Sequence, residues 1–432
     1  MTRRTICLSA WLAAAAGFCG GAVHAQPAER LSLRDAEQRA VDGHPQVQAG
    51  RSAALAAAEA VRETRSAYWP TVFGSVTGAV AQDGTRITAG GLNNPSVFDR
   101  IGAGVTVSQL VTDFGRTGHL VESQTLRAGA QEDNATRIRA EVLLRVDQSY
   151  FDALRAQAVL RVARQTVEAR QLVADQVSAL AASNLKSGLD VSFARVNLGQ
   201  AQLLLVQAQS DVDGSFAALG AAIGSPGVRT FELVEEPMPG PPAEDVAPLI
   251  AQAFRERPDL AAQQLARQAA DRFVAAEHAL WYPTVAAVGV AGVTPYHQDN
   301  LNDRYAAAGF NVTVPIANGG LYSARRGEAA FRAEMEDEAL RDLENRVTRD
   351  VTLAWLQAKT GFQRVDLTNQ LLAQASDALE LAQARYDLGL SSIVELTQAQ
   401  LNKTQAEIDQ ATVRYEYQAR TAALRFQTGM LK

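Results

Sequence analysis

The 432-residue sequence has only two cysteines, Cys7 and Cys19, and both lie within its first 20 residues. A chain that loses this segment has no thiol, which removes disulfide frameworks, zinc-thiolate sites and cysteine nucleophiles together. Histidine is scarce: of the five, His44, His119, His278 and His297 lie beyond residue 25, and none has a metal-type partner four residues on. Positive charge is not in excess. Lys plus Arg number 41 against 47 Asp plus Glu, a net charge of −6, so the basic footprint of a nucleic-acid binder is missing and no nucleic-acid partner is expected. No stretch of 18 consecutive apolar residues follows the N-terminus, so no transmembrane helix is expected. No P-loop or Rossmann fingerprint appears, so no nucleotide cofactor is implied and any energy for work must come from a partner. Yet hydrophobic residues make up 47% of the chain and charged residues 20%, which is too ordinary for a disordered chain.

What is present begins with a leader. Arg3 and Arg4 precede the apolar stretch 6–18, and Val23-His24-Ala25 fits a small-residue cleavage site. Residues 1–25 read as a signal peptide, with the exported chain starting at Gln26 and carrying a net charge of −8 once Arg3 and Arg4 are gone. The 13-residue stretch is too short to span a bilayer. Phe18 before Cys19 argues against a lipoprotein. Export leaves the periplasm, the exterior, or the outer membrane as a β-barrel, whose signal is weak per strand.

The exported chain is internally duplicated. His44-Pro45 is followed 25 residues later by Trp69-Pro70-Thr71-Val72, and Arg257-Pro258 by Tyr282-Pro283-Thr284-Val285 at the same interval. Asp99-Arg100 matches Asp303-Arg304, and Val105-Thr106-Val107 matches Val312-Thr313-Val314. Gly188-Leu189 matches Gly389-Leu390, and Ala217-Ala218-Leu219 with Gly224 matches Ala422-Ala423-Leu424 with Gly429. The order is kept while the offset stays between 201 and 213, so two copies of one unit are expected at 26–224 and 249–432. The segment 225–248, with Pro237, Pro239, Pro241 and Pro242, reads as a non-helical linker.

Each unit reads as helix, two strands, long helix, turn, helix: mainly α with a small β part. First helices are expected over 32–67, with a break at His44-Pro45, and over 245–280. Strands are expected at 72–80 and 310–316, where apolar and polar residues alternate with period two, joined by loops at 82–96 and 295–302. The proline-free stretches 114–183 and 321–386 predict two helices of about 100 Å, and 191–223 and 392–428 shorter returning ones. Two short helices stacked end to end then match one long helix in length. The 79 alanines suit such close packing. Four strands per chain cannot close a barrel, and open edges are forbidden in lipid, so copies giving 8, 12 or 16 strands are required if the strands enter a membrane. Tyr68-Trp69 and Trp281-Tyr282 at the strand entries are the candidate membrane-interface girdle.

These residues resemble the TolC-like outer-membrane efflux protein family across essentially the whole exported chain. The resemblance rests on the duplicated unit, the Tyr/Trp-Pro-Thr strand entries, and the turn Tyr386-Asp387-Leu388-Gly389-Leu390 followed by Ile393-Val394-Glu395-Leu396. It implies a homotrimer with a long α-helical barrel and a twelve-stranded transmembrane β-barrel in the outer membrane of a Gram-negative bacterium. It places 225–248 in an equatorial belt and the helix turns at a periplasmic tip. There Gly188, Leu189, Gly389 and Leu390 would receive a periplasmic adaptor (membrane fusion) protein, itself coupled to an inner-membrane RND or ABC transporter. By the same resemblance Tyr386 holds the gate closed and Glu395 belongs to the ring that narrows the pore. Ser391 stands where the family prototype has a gating arginine and Gln398 where it has a second acid, so the latch must differ and the ring carries about half the charge. Three Glu395 carboxylates near one axis would repel, raising their pKa values and making ion passage pH-dependent.

The expected function is a passive exit duct without catalysis or cofactor; small toxic molecules, metals and unfolded secreted proteins all remain open as cargo. The alternative from another class is a structural coiled-coil adaptor or surface stalk. No catalytic constellation stands out: His44 and His278 read as structural, and Glu328, Glu334, Glu336, Asp337 and Glu338 as a solvated helix face.

Overall fold

A computed structural model describes residues 29–80, 99–225, 231–297 and 302–431. The expected leader and the loop 82–96 lie outside the described residues, as do parts of the linker and of the loop 295–302. The chain opens with β1 (Glu29–Leu31), then α1 (Leu33–Gly43) and α2 (Pro45–Arg65). Ser32 starts α1 through a capping box: its hydroxyl accepts from Asp35 N at 3.2 Å while the Asp35 carboxylate accepts from Ser32 N. Pro45 ends α1 and opens α2, since a missing N–H costs nothing at a first helical position. His44 caps α2, with Nδ1 accepting from Gln46 N at 3.1 Å. The break expected at His44-Pro45 is complete, giving two helices, and the helix expected over 245–280 is broken in the same way at Arg257-Pro258.

A 3-10 turn at Ser66–Tyr68 leads into β2 (Thr71–Ala79), followed by β3 (Arg100–Thr112) and α3 (Arg116–Ala182). Then come α4 (Gly188–Ala222) and the short β4 (Phe231–Leu233). The second half repeats the plan: α5 (Ala247–Glu256), α6 (Pro258–His278), a 3-10 turn at Ala279–Trp281, β5 (Thr284–His297), β6 (Arg304–Thr313), α7 (Leu321–Asp387) and α8 (Ile393–Gln427). Both α3 and α7 have 67 residues, about 100 Å each. Gly115 and Gly320, at φ of 96° and 83°, make the sharp entry from strand to long helix. The helices of the second half follow those of the first at one constant offset from Gly115 onward.

The four long strands form one antiparallel sheet in the order β2-β3-β5-β6. Its register pairs Val72 with Val107, Val107 with Gly289, and Gly289 with Ala308. One face thus carries Val72, Val76, Val105, Val107, Phe310 and Val312, all exposed. The other carries Ser75, Thr77, Thr106, Ser108, Asn311 and Thr313, with Tyr305 lying over Gly104 and Gly292, where any Cβ would collide with its ring. The last strand begins six residues before the expected 310 and stops short of 316, because Pro315 lacks an N–H.

Midway along the rod, residues expected to be irregular linker make a small parallel sheet. β4 pairs with β1, Glu29 opposite Phe231 and Leu31 opposite Leu233. The main core gathers here, with Leu31, Ala36, Tyr150, Phe151, Leu154, Phe216, Leu219 and Phe231 buried together. The Tyr150 hydroxyl lies 2.8 Å from the Leu31 carbonyl and accepts from Val234 N at 3.0 Å, tying α3 to both short strands. The linker is strapped to the helices: Trp355 Nε1 donates to Ala243 O at 2.8 Å, and Arg161 and Arg414 converge on Glu235. In this belt Asp147 is 1% exposed beside Glu37. With both acids ionised neither can donate, and both Asp147 oxygens are then without a hydrogen-bond partner. Burial and the Glu37 carboxyl push Asp147 up to about 8, so Asp147 keeps its proton near neutrality.

The ends of α4 and α8 abut the breaks α1/α2 and α5/α6. Gly224, at φ 71°, comes so close that a Cβ would stand 2.9 Å from His44 Cα, and at Gly429 a Cβ would stand 2.8 Å from Glu256 C. The end-to-end stacking of short helices along each long one is thus made at two left-handed glycines.

Candidate functional site

The tip is made by two helix turns that follow the same rules with different residues. At the end of α7, Gly389 takes φ 73° and Leu390 N returns to Arg385 O at 2.8 Å. At the end of α3 the left-handed residue is Asn184, φ 59°, and Leu185 N returns to Leu180 O at 2.9 Å. This corrects the expectation that Gly188 makes the turn. Gly188 is the first residue of α4, and nothing lies within 4 Å of its would-be Cβ. The counterpart of Gly389 is Asn184, because Asn tolerates the left-handed region through its short polar side chain. Leu189 and Leu390 are both exposed, and so are Leu185 and Leu388.

Beyond the turns, Ser187 and Ser392 cap α4 and α8. Asp190 folds back so that its carboxylate accepts from Ser187 N at 3.0 Å. Glu395, three residues into α8 like Asp190 in α4, instead reaches across its turn to Arg385 Nε at 3.4 Å. The sequence reading treated Glu395 as an unpaired carboxylate; in the folded chain a guanidinium stands beside it. Both side chains are nearly half exposed, so the pair contributes at most about 1 kcal/mol of stability. Its larger effect is on local charge.

Tyr386 is 7% exposed, packed with Ala174, Val177, Ala194, Ile393 and Leu396. Lys186 of the other turn holds its ammonium 4.1 Å from the Tyr386 ring centroid, a cation–π contact worth about 0.5–2 kcal/mol. The Tyr386 hydroxyl and the Ser391 hydroxyl are buried without hydrogen-bond partners among the described residues. Asn197 Nδ2 donates to Thr397 Oγ1 at 3.0 Å, joining α4 to α8. Gln398 is exposed one turn beyond Glu395 and bonds Asn402. The fold therefore brings together Tyr386, Ser391 and Glu395 and adds Lys186, Arg385 and Asn184, which sequence reasoning missed. A constant repeat offset through the two turns would have pointed to Asn184.

At the other end, Tyr68, Trp69, Trp281 and Tyr282 are all exposed at the entries to β2 and β5. Trp281 meets Tyr322 edge-on at 5.7 Å, Tyr282 meets Phe114 at 6.0 Å, and Gln109 Nε2 donates to Tyr68 O at 2.9 Å. The acidic run of α7 is laced with arginine: Glu328 pairs Arg332, Asp337 pairs Arg267 and Arg341, and Glu338 pairs Arg341. Among the described residues no cluster of His, Cys, Asp or Glu could hold a metal ion, and no helix is long and apolar enough to cross a membrane.

Known proteins share this architecture. The profile of the outer membrane efflux protein family matches residues 37–225 and 249–430. The outer membrane protein OprJ of Pseudomonas aeruginosa is 25% identical over 354 residues, 78% of this chain and 71% of OprJ. TolC of Vibrio cholerae is 22% identical over 437 residues, 98% of this chain and 95% of TolC. A crystal structure of a membrane protein from Pseudomonas aeruginosa superposes with a TM-score of 0.80 at 22% identity, covering 92% of this chain and 93% of that one. The chain belongs to the outer membrane efflux protein family and is an efflux duct of the Gram-negative outer membrane that extends into the periplasm.

Proposed function

We propose that three copies of this chain close into one passive duct, twelve strands in the outer membrane above a helical barrel. The observation that carries this reading is the sheet. Its one face is apolar and exposed, and β2 and β6 are its outer strands among the described residues. In lipid such edges need partners, because each unsatisfied backbone group costs several kcal/mol. Leu353, Leu356, Leu367, Leu371 and Leu381 form one exposed stripe along α7, which supports side-by-side assembly of the helices as well.

In this assembly the tip closes the duct. Tyr386 and Lys186 hold the two turns of each chain together in place of the prototype's arginine latch. Three Glu395 side chains, each beside an Arg385, form the constriction, with Ser391 and Gln398 lining it. The exposed Leu185, Leu189, Leu388 and Leu390 around Gly188 and Gly389 offer an apolar rim to a periplasmic adaptor protein, through which an inner-membrane RND or ABC transporter drives export. Tyr68, Trp69, Trp281 and Tyr282 ring the membrane boundary. The duct has no catalytic task and needs no cofactor. The adaptor or stalk alternative is not favoured, since the matched family is one of outer membrane efflux proteins.

Reconstitution tests this directly. The purified chain should run as a heat-resistant trimer and give single-channel conductance in planar bilayers. A monodisperse, water-soluble protein with no conductance would overturn the proposal.

A further inference from the structure

Where α3, α6 and α7 meet the sheet there is a cavity of about 280 Å³ lined by Arg116, Phe273, Glu277, Arg325, Glu328 and Arg332, among others. One water occupies about 30 Å³, so the space suits a larger group. Glu277 is 6% exposed, and its Oε2 has no hydrogen-bond partner among the described residues. Arg116 Nε is likewise buried and unpartnered. Glu328 is engaged by Arg332 at 2.6 Å, while Arg325 makes no hydrogen bond or ion pair among the described residues. Among the described residues, a buried carboxylate oxygen without a donor beside a buried guanidinium nitrogen without an acceptor is a costly arrangement for the chain alone, while the exposed Arg325 adds positive charge at the cavity mouth.

The cavity therefore asks for both charges at once. A free anion would satisfy the arginines and leave Glu277 unanswered; a free cation would do the reverse. Its place narrows the choice. Glu277, near the end of α6, lies four residues before Trp281 of the following 3-10 turn, Arg325 lies three residues after Tyr322 on α7, and these two aromatics touch. The cavity thus lies next along the helices from the aromatic pair at the helix–sheet junction, which does not itself line it. Because α3 and α7 both pack on α6, it also lies within one chain's own arc, so a neighbouring copy need not cover it.

We propose that this cavity binds the phosphoethanolamine headgroup of a membrane phospholipid, with its ammonium on Glu277 and its phosphate on Arg116 and Arg325. The proposal rests on the girdle reading of Trp281. Native mass spectrometry of the detergent-extracted full chain, offered phosphatidylethanolamine, phosphatidylglycerol or phosphatidylcholine, tests it. Phosphatidylethanolamine should be retained about tenfold better than the other two, because only its headgroup brings both a positive charge and hydrogen-bond donors to Glu277. Glu277→Gln should erase that preference. Arg325→Gln, on an exposed helix face that tolerates change, should weaken retention of all three lipids. Equal retention of all lipids by the wild-type chain, unchanged preference in both variants, or binding of inorganic phosphate without lipid would each overturn the headgroup site. The girdle reading is checked separately by quenching of Trp281 fluorescence with brominated lipid in a Trp69→Phe, Trp355→Phe background. Quenching without headgroup preference rejects the site alone; no quenching rejects the girdle as well.

Discussion

The two long helices occupy equivalent places in the two halves of the chain and have the same 67 residues. Even so, α3 has 21 buried residues and α7 has eight. The difference does not come from composition, since both are alanine-bearing and free of proline. It comes from neighbours. α3 is enclosed by α1, α2, α4, α6 and α8, whereas α7 packs on α5, α6 and α8 and leaves a flank uncovered. Duplication gave the two units one plan; joining them in series made one helix a centre and the other an edge. In the proposed trimer the exposed leucines of α7 serve as an assembly surface, whereas Leu143, Leu154 and Leu160 of α3 are buried within the chain's own core.

Substitutions can break this contrast, and the largest effect is expected in the centre. Leu154→Ala, at a site 3% exposed, should cost about 2–5 kcal/mol in guanidinium unfolding followed by circular dichroism. Leu367→Ala should stay within about 0.5 kcal/mol for the protomer. The doubly charged edge, Leu367→Asp with Leu371→Asp, should instead abolish the heat-resistant trimer on gels while helicity is kept. Persistence of the trimer would mean that the α7 stripe is not an interface.

The next effect is steric and compares two glycines of the first half. Gly224→Ala should cost about 1–3 kcal/mol, because φ is positive and His44 Cα stands in the way. Gly188→Ala should be nearly neutral. Equal melting temperatures for the two variants would contradict the stacking of α4 on the α1/α2 break.

Titration comes third. Asp147 is raised in the folded chain, so between pH 4 and 8 the folded state binds the extra proton. Its contribution is favourable at low pH and is lost as pH rises through about 8. Asp147→Asn, which imitates the protonated acid, should flatten stability against pH in that interval and raise the melting temperature most at the alkaline end. An unchanged slope would place the titration elsewhere.

The smallest effect belongs to the tip. Glu395→Gln should weaken cation preference in bilayer recordings and blunt block by multivalent cations, whereas Arg385→Ala should strengthen both. Unchanged selectivity in Glu395→Gln would remove that residue from the constriction.

Much of this architecture was legible in the residues because local rules and the global fold agree. The lack of proline over 114–183 gave α3 to within two residues at its start and one at its end. The alternation of Val72, Ser75, Val76 and Thr77 gave a two-faced strand. What stayed hidden lacked a local period or joined distant segments. β1 and β4 are three residues each, too short to alternate recognisably, and each exists only because the other is there. Glycine identity also misled: Gly188 was paired with Gly389 when conformation pairs Asn184 with it. Lys186 and Arg385 acquire their roles from a ring and a carboxylate brought to them by turns, which spacing alone does not reveal.

From Asp147 in the belt to Ala182 at the end of α3 there are 36 helical residues without a proline, roughly 50 Å of continuous strut. A rod of that length is a lever. A tilt of about 5° at the belt carries its far end about 4–5 Å, more than the breadth of a methylene chain. In the proposed duct, work done against the tip would therefore be small in angle and large in aperture, with no helix having to unwind.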